Sequence, residues 1–253
     1  MNPSSAPVRG CEPKTFITLV RTAAIYAWVI FSTLFFSLLA IATSLVTRTG
    51  NPVHRVARVW SRSILAVSGI RVAVSGLERI DPTRPYIFMA NHQSNCDIPV
   101  LLAHLPVQFR WLAKAELFKI PIFGRAMHGA GYISIDRSDR EAAFKSLGDA
   151  AETIRKGAAI MIFPEGTRSL DGTLKPFKKG GFVLAVDAGV PIVPVAIRGT
   201  HAIMAKRTWI IRPRDVAVEV GEPIDTSDCT RATKEALMER VRAAIRRGLG
   251  ECG

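Results

Sequence analysis

The chain has 253 residues, 48% of them apolar and 22% charged, which predicts one domain of ordinary size with a packed core and a short appendage and excludes global disorder. Its formal net charge of +13 would suit nucleic acid, anionic lipid or an acidic substrate. Because no common nucleic-acid-binding motif occurs and only 8% of the residues are aromatic, the composition argues against a nucleic-acid partner.

The cysteines do not form the pattern of a disulfide framework or a zinc site. Cys11, Cys96, Cys229 and Cys252 are scattered along the chain, without a Cys-x-x-Cys pair. Free thiols are typical of proteins in a reducing compartment such as the cytosol.

An apolar run near the N-terminus predicts a membrane-associated helix. Residues 22–47 contain no charged residue over 26 positions, which is long enough to span about 30 Å of hydrocarbon. Basic residues bracket the run, since positions 1–75 hold eight Lys or Arg and one acid, Glu12. A signal peptide is the alternative, with Ala40-Ile41-Ala42 as its cleavage site, but signal cores are usually about 7 to 15 residues long. The length favours a retained anchor.

A second amphipathic helix is predicted over residues 52–70. Its apolar positions recur at near-helical spacing, and three basic residues, Arg55, Arg58 and Arg62, recur on the opposite side. This pattern is typical of a helix that lies at anionic lipid headgroups, and also of one packed on a domain surface with a solvated basic face. A hairpin that dips into one leaflet and a true span are equally compatible with the two helices.

From about Arg71 the chain alternates between short β-branched runs and helical stretches. Strands are predicted at RVAVSGL, YIFMAN, GYISID, AAIMIFP, PIVPVAI and VAVEV. Helices are predicted at PVLLAHL, REAAFKSLGDAAETIRKG and GGFVLAVDAG, the second capped by Ser138 or Asp139. The alternation indicates an α/β fold with a mostly parallel sheet flanked by helices. We therefore divide the chain into an N-terminal helical hairpin at 1–70 and a catalytic domain at 71–253.

The first strand-to-helix junction, YIFMANHQSNCDIPVLLAHL, contains a possible catalytic pair. His92 and Asp97 can meet if His92 lies in the turn and Asp97 in the first turn of the helix. A carboxylate fixes the tautomer of an imidazole, and the other ring nitrogen is then a general base. The structural alternative for Asp97 is that it only caps the helix. Cys96 is a rival nucleophile, but it has no base of its own because His92 is better placed for another role.

A second junction, FPEGTRS, follows the strand AAIMI. Pro164 and Gly166 turn the chain sharply out of the sheet and leave Glu165 and Arg168 at the end of the strand. The Arg168 guanidinium matches a phosphate with two parallel hydrogen bonds. A surface ion pair between Glu165 and Arg168 is the structural alternative. Arg137 follows the strand GYISID and is a further candidate cation for this site. The structural alternative for Arg137 is a surface charge beside a helix.

The segments NHQSNCD, GYISIDR, FPEGTRS and VPIVPVAI stand in the order, and near the spacing, of the four motifs of the glycerolipid acyltransferase family. The chain resembles this family over about residues 71–225, and within it the short bacterial 1-acylglycerol-3-phosphate acyltransferases. Members of the family begin with a two-helix membrane motif, which fits the hairpin predicted at the N-terminus.

The resemblance implies direct acyl transfer from acyl-CoA or acyl carrier protein to the sn-2 hydroxyl of lysophosphatidate, with no metal or other cofactor. His92 matches the family's base and Asp97 its partner. The acceptor's phosphate and glycerol are expected to meet Arg168, Glu165, Gly166, Lys114 and Arg137. The expected location is the bacterial inner membrane, at an anionic bilayer surface, with the catalytic domain on the cytoplasmic face.

Three alternatives remain at the level of the sequence. Another lyso-lipid, such as lyso-ornithine lipid, is the rival acceptor within the family. A metal-dependent lipid hydrolase would use His92, Asp97 and His128 as ligands, although no close ligand spacing supports it. The third is a membrane scaffold without catalytic activity, and the intact His92–Asp97 pair argues against it.

Overall fold

The structure is a computed structural model that describes residues 13–136 and 139–251. Its strands are β1 (Val72–Ser75), β2 (Ile87–Ala90), β3 (Phe109–Lys114), β4 (Ile133–Ile135), β5 (Ala159–Ile162), β6 (Ile192–Arg198) and β7 (Val216–Val220). They form one sheet in the order β1-β7-β6-β2-β5-β3-β4, and only the β6–β7 pair is antiparallel. The prediction of a mostly parallel α/β sheet is confirmed.

Helices cover both faces of the sheet. They are α1 (Pro13–Val46), α2 (Asn51–Ser68), α3 (Asp97–His104), α4 (Ala115–Phe118), α5 (Phe123–Gly129), α6 (Arg140–Arg155), α7 (Gly180–Ala188), α8 (Thr200–Ile203) and α9 (Lys234–Leu249). One hydrophobic cluster joins α1, α2 and α3 to the sheet, and a second joins α6, α7 and α9 to its other face. Because the central strands β2 and β5 are covered on both sides, all of their residues are buried.

The predicted cap of α6 is present. The Asp139 carboxylate accepts the backbone N–H groups of Glu141 at 2.9 Å and Ala142 at 3.1 Å, two donors that the first turn of a helix leaves unpaired. Asp139 is thus the capping residue of the two that were considered, whereas Ser138 lies outside the described residues.

The strand β3 and the helix α9 were not predicted. The segment FRWLAK has cations at its second and last positions, and these interrupt the apolar run by which a buried strand is usually predicted. Arg110 is nevertheless only 6% exposed, because its guanidinium donates to the side-chain oxygen of Asn51 and to the carbonyl of Phe109. The partner Asn51 is 59 positions away along the chain, so the sequence does not show this pairing.

α1 and α2 form an antiparallel hairpin. Arg21 donates to the carbonyl of Ser68 at 3.2 Å, and the indole N–H of Trp60 donates to the Thr33 hydroxyl at 3.2 Å. The hairpin also packs on the α/β domain, where Ile25 and Leu65 join the same hydrophobic cluster as the sheet. A signal peptide cleaved after residue 42 would remove these contacts of α1.

The basic side of α2 is partly used inside the protein. Arg58 donates to the carbonyl of Leu105 at 2.7 Å, and Arg62 donates to that of Ala103 at 3.4 Å. Arg58 thus has a partner inside the protein, because its partly buried side chain binds the carbonyl end of α3, where the helix dipole is negative. Arg55 and Arg62 remain exposed.

The side of α1 that faces away from the domain is apolar. Residues 16–46 are long and apolar enough to cross a membrane, and the most apolar window has a mean hydropathy of 2.3 with 17% of its residues buried. Its exposed large side chains include Ile30, Phe31, Leu34, Phe35 and Leu38. Contacts near both ends hold α1 against the domain. The Thr22 hydroxyl accepts the N–H of Ile211, and Ser44 packs beside Gly129.

Candidate active site

The two predicted motif loops meet at the carboxyl ends of neighbouring strands. β2 and β5 are parallel neighbours with Met89 opposite Ile162, so both strands end at the same level. The turn after β2 carries His92, and the loop after β5 carries Phe163 to Arg168. The carboxyl ends of parallel strands are the usual place for the functional groups of an α/β protein.

His92 and Asp97 form the predicted pair. The Nδ1 atom of His92 lies 2.8 Å from the Oδ2 atom of Asp97. The same oxygen accepts the backbone N–H groups of Gln93 at 2.7 Å and Ser94 at 2.9 Å. Asp97 is fully buried and begins α3, so it fixes both the turn and the imidazole. With Nδ1 as a donor to the carboxylate, Nε2 of a neutral imidazole is left as a base.

Polar side chains within the motif anchor the turn to β6 and the segment after α8. The amide of Asn91 exchanges two hydrogen bonds with the backbone of Ile197, at 2.9 and 2.7 Å. The Ser94 hydroxyl donates to the carbonyl of Met204 at 2.8 Å. Asn91 and Ser94 thus join the turn to distant backbone, which no local pattern in the sequence indicates. These two residues position His92 without contacting its ring.

The imidazole of His92 stacks on an aromatic ring. The centroids of His92 and Phe163 are 3.8 Å apart with an interplanar angle of 8°, and Phe163 in turn stacks on Trp111 at 5.2 Å. Only 14% of the His92 side chain is exposed. Phe163 belongs to FPEGTRS, yet its position against the base was not predicted. The stack restricts rotation of the imidazole and leaves one edge open to the cavity.

Glu165 connects the two motif loops. Its Oε1 accepts the N–H of His92 at 2.7 Å, and its Oε2 accepts the N–H of Lys175 at 3.0 Å. Burial raises the pKa of the Glu165 carboxyl from its ordinary value of 4.5 to about 7. Both oxygens are thus directed at backbone groups, which differs from the expected contact with the acceptor. The alternative surface ion pair with Arg168 does not form within the described part of the chain.

Arg168 lies on a tight loop beside His92. Gly166 has a φ of 75° and donates its N–H to the carbonyl of Phe163 at 3.0 Å, a conformation that glycine adopts without strain. The N–H of Ser169 donates to the carbonyl of His92 at 2.8 Å, which joins the loop to the turn after β2. Gly166 and Arg168 therefore line the same cavity as His92.

Lys206 is a cation in this region that the sequence did not indicate. Its ammonium lies 3.2 Å from the Thr167 hydroxyl and 3.4 Å from the carbonyl of Arg168. The residue follows the fourth motif, VPIVPVAI, and no local pattern marks it. The structure thus places a second positive charge at the Arg168 loop.

The other two predicted cations differ from Arg168. Lys114 also lines the cavity, but its ammonium pairs with Glu116 at 2.8 Å and both side chains are mostly exposed. Arg137 lies outside the described residues. Arg168 is therefore the predicted cation most directly associated with His92.

A large cavity extends from the His92–Asp97 pair under the hairpin. Its volume is about 860 Å³, and its walls come mainly from apolar residues of α1, α2, α3 and α5. Examples are Ile25, Phe36, Trp60, Leu102 and Met127. The polar end holds His92 and Arg168. Such a space suits an amphiphile with a long hydrocarbon chain and an anionic head.

Two alternative mechanisms, a cysteine nucleophile and a metal-dependent hydrolase, lack the groups that they require in the described residues. Burial raises the pKa of the Cys96 thiol to about 11, so at neutral pH it is not the thiolate that a nucleophile requires. Among residues 13–136 and 139–251, no three His, Cys, Asp or Glu side chains are grouped so that they could hold a metal ion. The ligand set of the hydrolase alternative, which included His128, is therefore not assembled.

Comparisons with known proteins agree with this geometry. A family model described as Acyltransferase matches residues 71–198. The 1-acyl-sn-glycerol-3-phosphate acyltransferase BAT2, chloroplastic, of Brassica napus is 38% identical over 68% of this chain, which spans 50% of that protein. The corresponding alpha enzyme of Homo sapiens is 34% identical over 84% of this chain and 75% of its own length.

A solved structure extends the likeness to almost the whole chain. The crystal structure of the 1-acyl-sn-glycerophosphate acyltransferase from Thermotoga maritima superposes with a TM-score of 0.81 at 29% identity, covering 94% of this chain and 97% of that one. The chain belongs to the acyltransferase family.

Proposed function

We propose that this protein transfers a fatty acyl group from a thioester to the sn-2 hydroxyl of lysophosphatidate, giving phosphatidate for phospholipid synthesis. The observation that carries the proposal is the cavity in which the His92–Asp97 base, the Arg168 guanidinium and apolar walls meet. The relatives named as 1-acyl-sn-glycerol-3-phosphate acyltransferases support the acceptor.

The reaction needs a base, an anion site and a path for one proton. Nε2 of His92 removes the proton of the acceptor hydroxyl as the oxygen attacks the thioester carbonyl. Collapse of the tetrahedral intermediate breaks the carbon–sulfur bond, and the imidazolium returns the proton to the leaving thiolate. Asp97 stabilises the imidazolium between these steps. Arg168 holds the acceptor's phosphate, with Lys114 and Arg137 as further candidates.

The donor in this proposal is acyl-CoA or acyl carrier protein, and no metal or other cofactor takes part. Both donors are thioesters, so the thiol leaves directly and no protein nucleophile is required. The protonated thiol of Cys96 is consistent with a mechanism that does not use it.

The bilayer is the proposed source of the acceptor. Drawing a lysolipid into water would expose its acyl chain at a free-energy cost of about 0.8 kcal/mol per CH₂. A site fed from the side avoids this cost, and the apolar outer face of α1 supports such an arrangement. We place the protein at the bacterial inner membrane with the catalytic domain on the cytoplasmic face, where thioester donors are present.

A panel of acceptors tests the proposal. The purified full-length protein is mixed with radiolabelled acyl-CoA or acyl carrier protein and with lysophosphatidate, lysophosphatidylethanolamine or lyso-ornithine lipid, and the products are separated by thin-layer chromatography. We expect labelled phosphatidate as the main product. Acylation of lyso-ornithine lipid alone would assign the other acceptor, and release of free fatty acid alone would assign a hydrolase.

A further inference from the structure

A loop on the same side of the molecule as α1 presents an exposed aromatic ring among cations. This Trp209 loop comprises residues 206–214, KRTWIIRPR, with four basic residues and no acid. Trp209 is 78% exposed, the highest value among the described large apolar residues outside α1. The side chains of Arg207, Arg212 and Arg214 are exposed as well. A tryptophan surrounded by cations is the composition of a membrane–water interface.

The loop is fixed to α1. The Thr22 hydroxyl accepts the N–H of Ile211 at 3.2 Å and lies 3.4 Å from the carbonyl of the same residue. The rings of Trp209 and Tyr26 are 6.5 Å apart. One helical turn further along α1, Ile30 is 69% exposed. The exposed indole thus extends the apolar outer face of α1 onto the α/β domain.

The base of the loop borders the catalytic cavity. Met204 and Ile211 line that cavity, and Lys206 contacts the Arg168 loop. A ligand of the Trp209 loop would therefore lie close to the polar rim where the acceptor's phosphate is proposed to bind.

We propose that the Trp209 loop is a second membrane contact, which inserts its indole into the interface of an anionic bilayer and sets the cavity rim at headgroup depth. The proposal rests on the membrane association proposed above, and adds a contact outside the hairpin. A bilayer fits better than a protein partner because the loop continues an apolar surface along α1, and because its free charges are all positive. Arg207, Arg212 and Arg214 would then meet lipid phosphates.

Quenching by brominated lipids tests the insertion of the indole. The full-length protein and its Trp209→Phe variant are bound to vesicles that contain anionic phosphatidylglycerol, with and without bromine on the upper acyl chain. The difference between their emission spectra isolates Trp209 from Trp28, Trp60 and Trp111. We expect this difference signal to be quenched and shifted to the blue. An unquenched signal at the wavelength of water-exposed tryptophan would overturn the proposal, even if the protein binds the vesicles.

A matched pair of charge variants tests the cations. Arg207→Gln/Arg212→Gln should weaken binding to phosphatidylglycerol vesicles by about tenfold or more, and less at high salt, since each basic residue contributes to attraction at an anionic surface. The control is Arg240→Gln/Arg247→Gln on α9, two exposed arginines on the opposite face of the sheet. Equal binding by both double variants would overturn the role of the cations. A wild type that binds no vesicles would contradict the proposed membrane association together with this inference.

Discussion

Under the proposed function, Arg168 is the residue on which binding of the acceptor's phosphate should depend most. It lines the cavity beside His92, and its loop is held by Gly166, Ser169 and Lys206. Loss of a charge-assisted contact of about 1.5 to 3 kcal/mol predicts that Arg168→Ala raises the apparent KM for lysophosphatidate by about tenfold or more, with less effect on the donor. Arg168→Lys should restore part of the affinity, because a point charge cannot reproduce the two parallel bonds of the guanidinium.

Steady-state kinetics with each substrate varied in turn measures both constants. An unchanged KM for the acceptor in both variants would place the phosphate elsewhere, with Lys114 and Arg137 as the next candidates.

The raised pKa of Glu165 predicts how the free energy of unfolding depends on pH. Its pKa in the folded chain is about 7 because of burial, above the ordinary 4.5. The folded state therefore binds more protons between these values, so the stabilising contribution is complete below pH 4.5 and is lost as the pH rises to about 7. Glu165→Gln does not titrate, so the free energy of unfolding of the wild type should fall relative to that of the variant across this range.

Denaturant unfolding of both proteins in the same detergent, at several pH values, measures this difference. A difference that stays constant, or that grows in favour of the wild type as the pH rises, contradicts the assignment of the raised pKa to Glu165.

The contact between His92 and Asp97 could be predicted at the residue scale because its signal is local. His92 and Asp97 lie five positions apart on one turn, and the motif alone brings them together. The stack of His92 on Phe163 and the contact of Lys206 with the Arg168 loop depend on strand order, since β5 lies next to β2. Contacts of that kind are decided by the tertiary fold and leave no periodic pattern in the sequence.

At the scale of elements, the hairpin was predicted as a separate unit, and the structure joins it to the domain. Ile25 and Leu65 belong to the same hydrophobic cluster as Phe88 of β2. The pattern of α2 showed a basic side but not its partner, and Arg58 binds the carbonyl of Leu105. Amphipathic spacing shows which side of a helix is apolar, but does not distinguish a lipid from another helix as its neighbour.

A truncated chain tests how far the hairpin contributes to folding. Removal of residues 1–70 uncovers the side of the sheet cluster that Ile25 and Leu65 cover, and each large apolar side chain that loses its cover costs about 1.5 to 3 kcal/mol. Because a domain is stable by only about 5 to 15 kcal/mol, the 71–253 fragment should aggregate or melt at a much lower temperature.

Differential scanning calorimetry of the fragment and the full chain in detergent makes the comparison. A fragment that melts as high and as cooperatively as the full chain would show that the hairpin serves the membrane alone.

For the whole molecule, the apolar outer face of α1 predicts a protein retained at the membrane with its first helix intact. Thr22 and Tyr26 contact Ile211 and Met204, so the N-terminal half of α1 packs on the α/β domain. Fractionation of cells that express the natural sequence should find the protein with membranes, and mass spectrometry should find residues 13–46 still attached. A shorter soluble form that begins near Thr43 would instead identify a signal peptide.

In the proposed reaction, the His92 imidazole, oriented by Asp97, is the base that activates the acceptor hydroxyl. The most direct measurement is the initial rate of phosphatidate formation by purified His92→Ala, wild type and Cys96→Ala at saturating donor and acceptor, with circular dichroism and vesicle binding as controls of folding. His92→Ala should lose about 10² to 10⁴-fold in turnover while it still folds and binds vesicles, and Cys96→Ala should keep most of its activity. Turnover at the wild-type rate by a folded His92→Ala protein would contradict the role of His92 as the base.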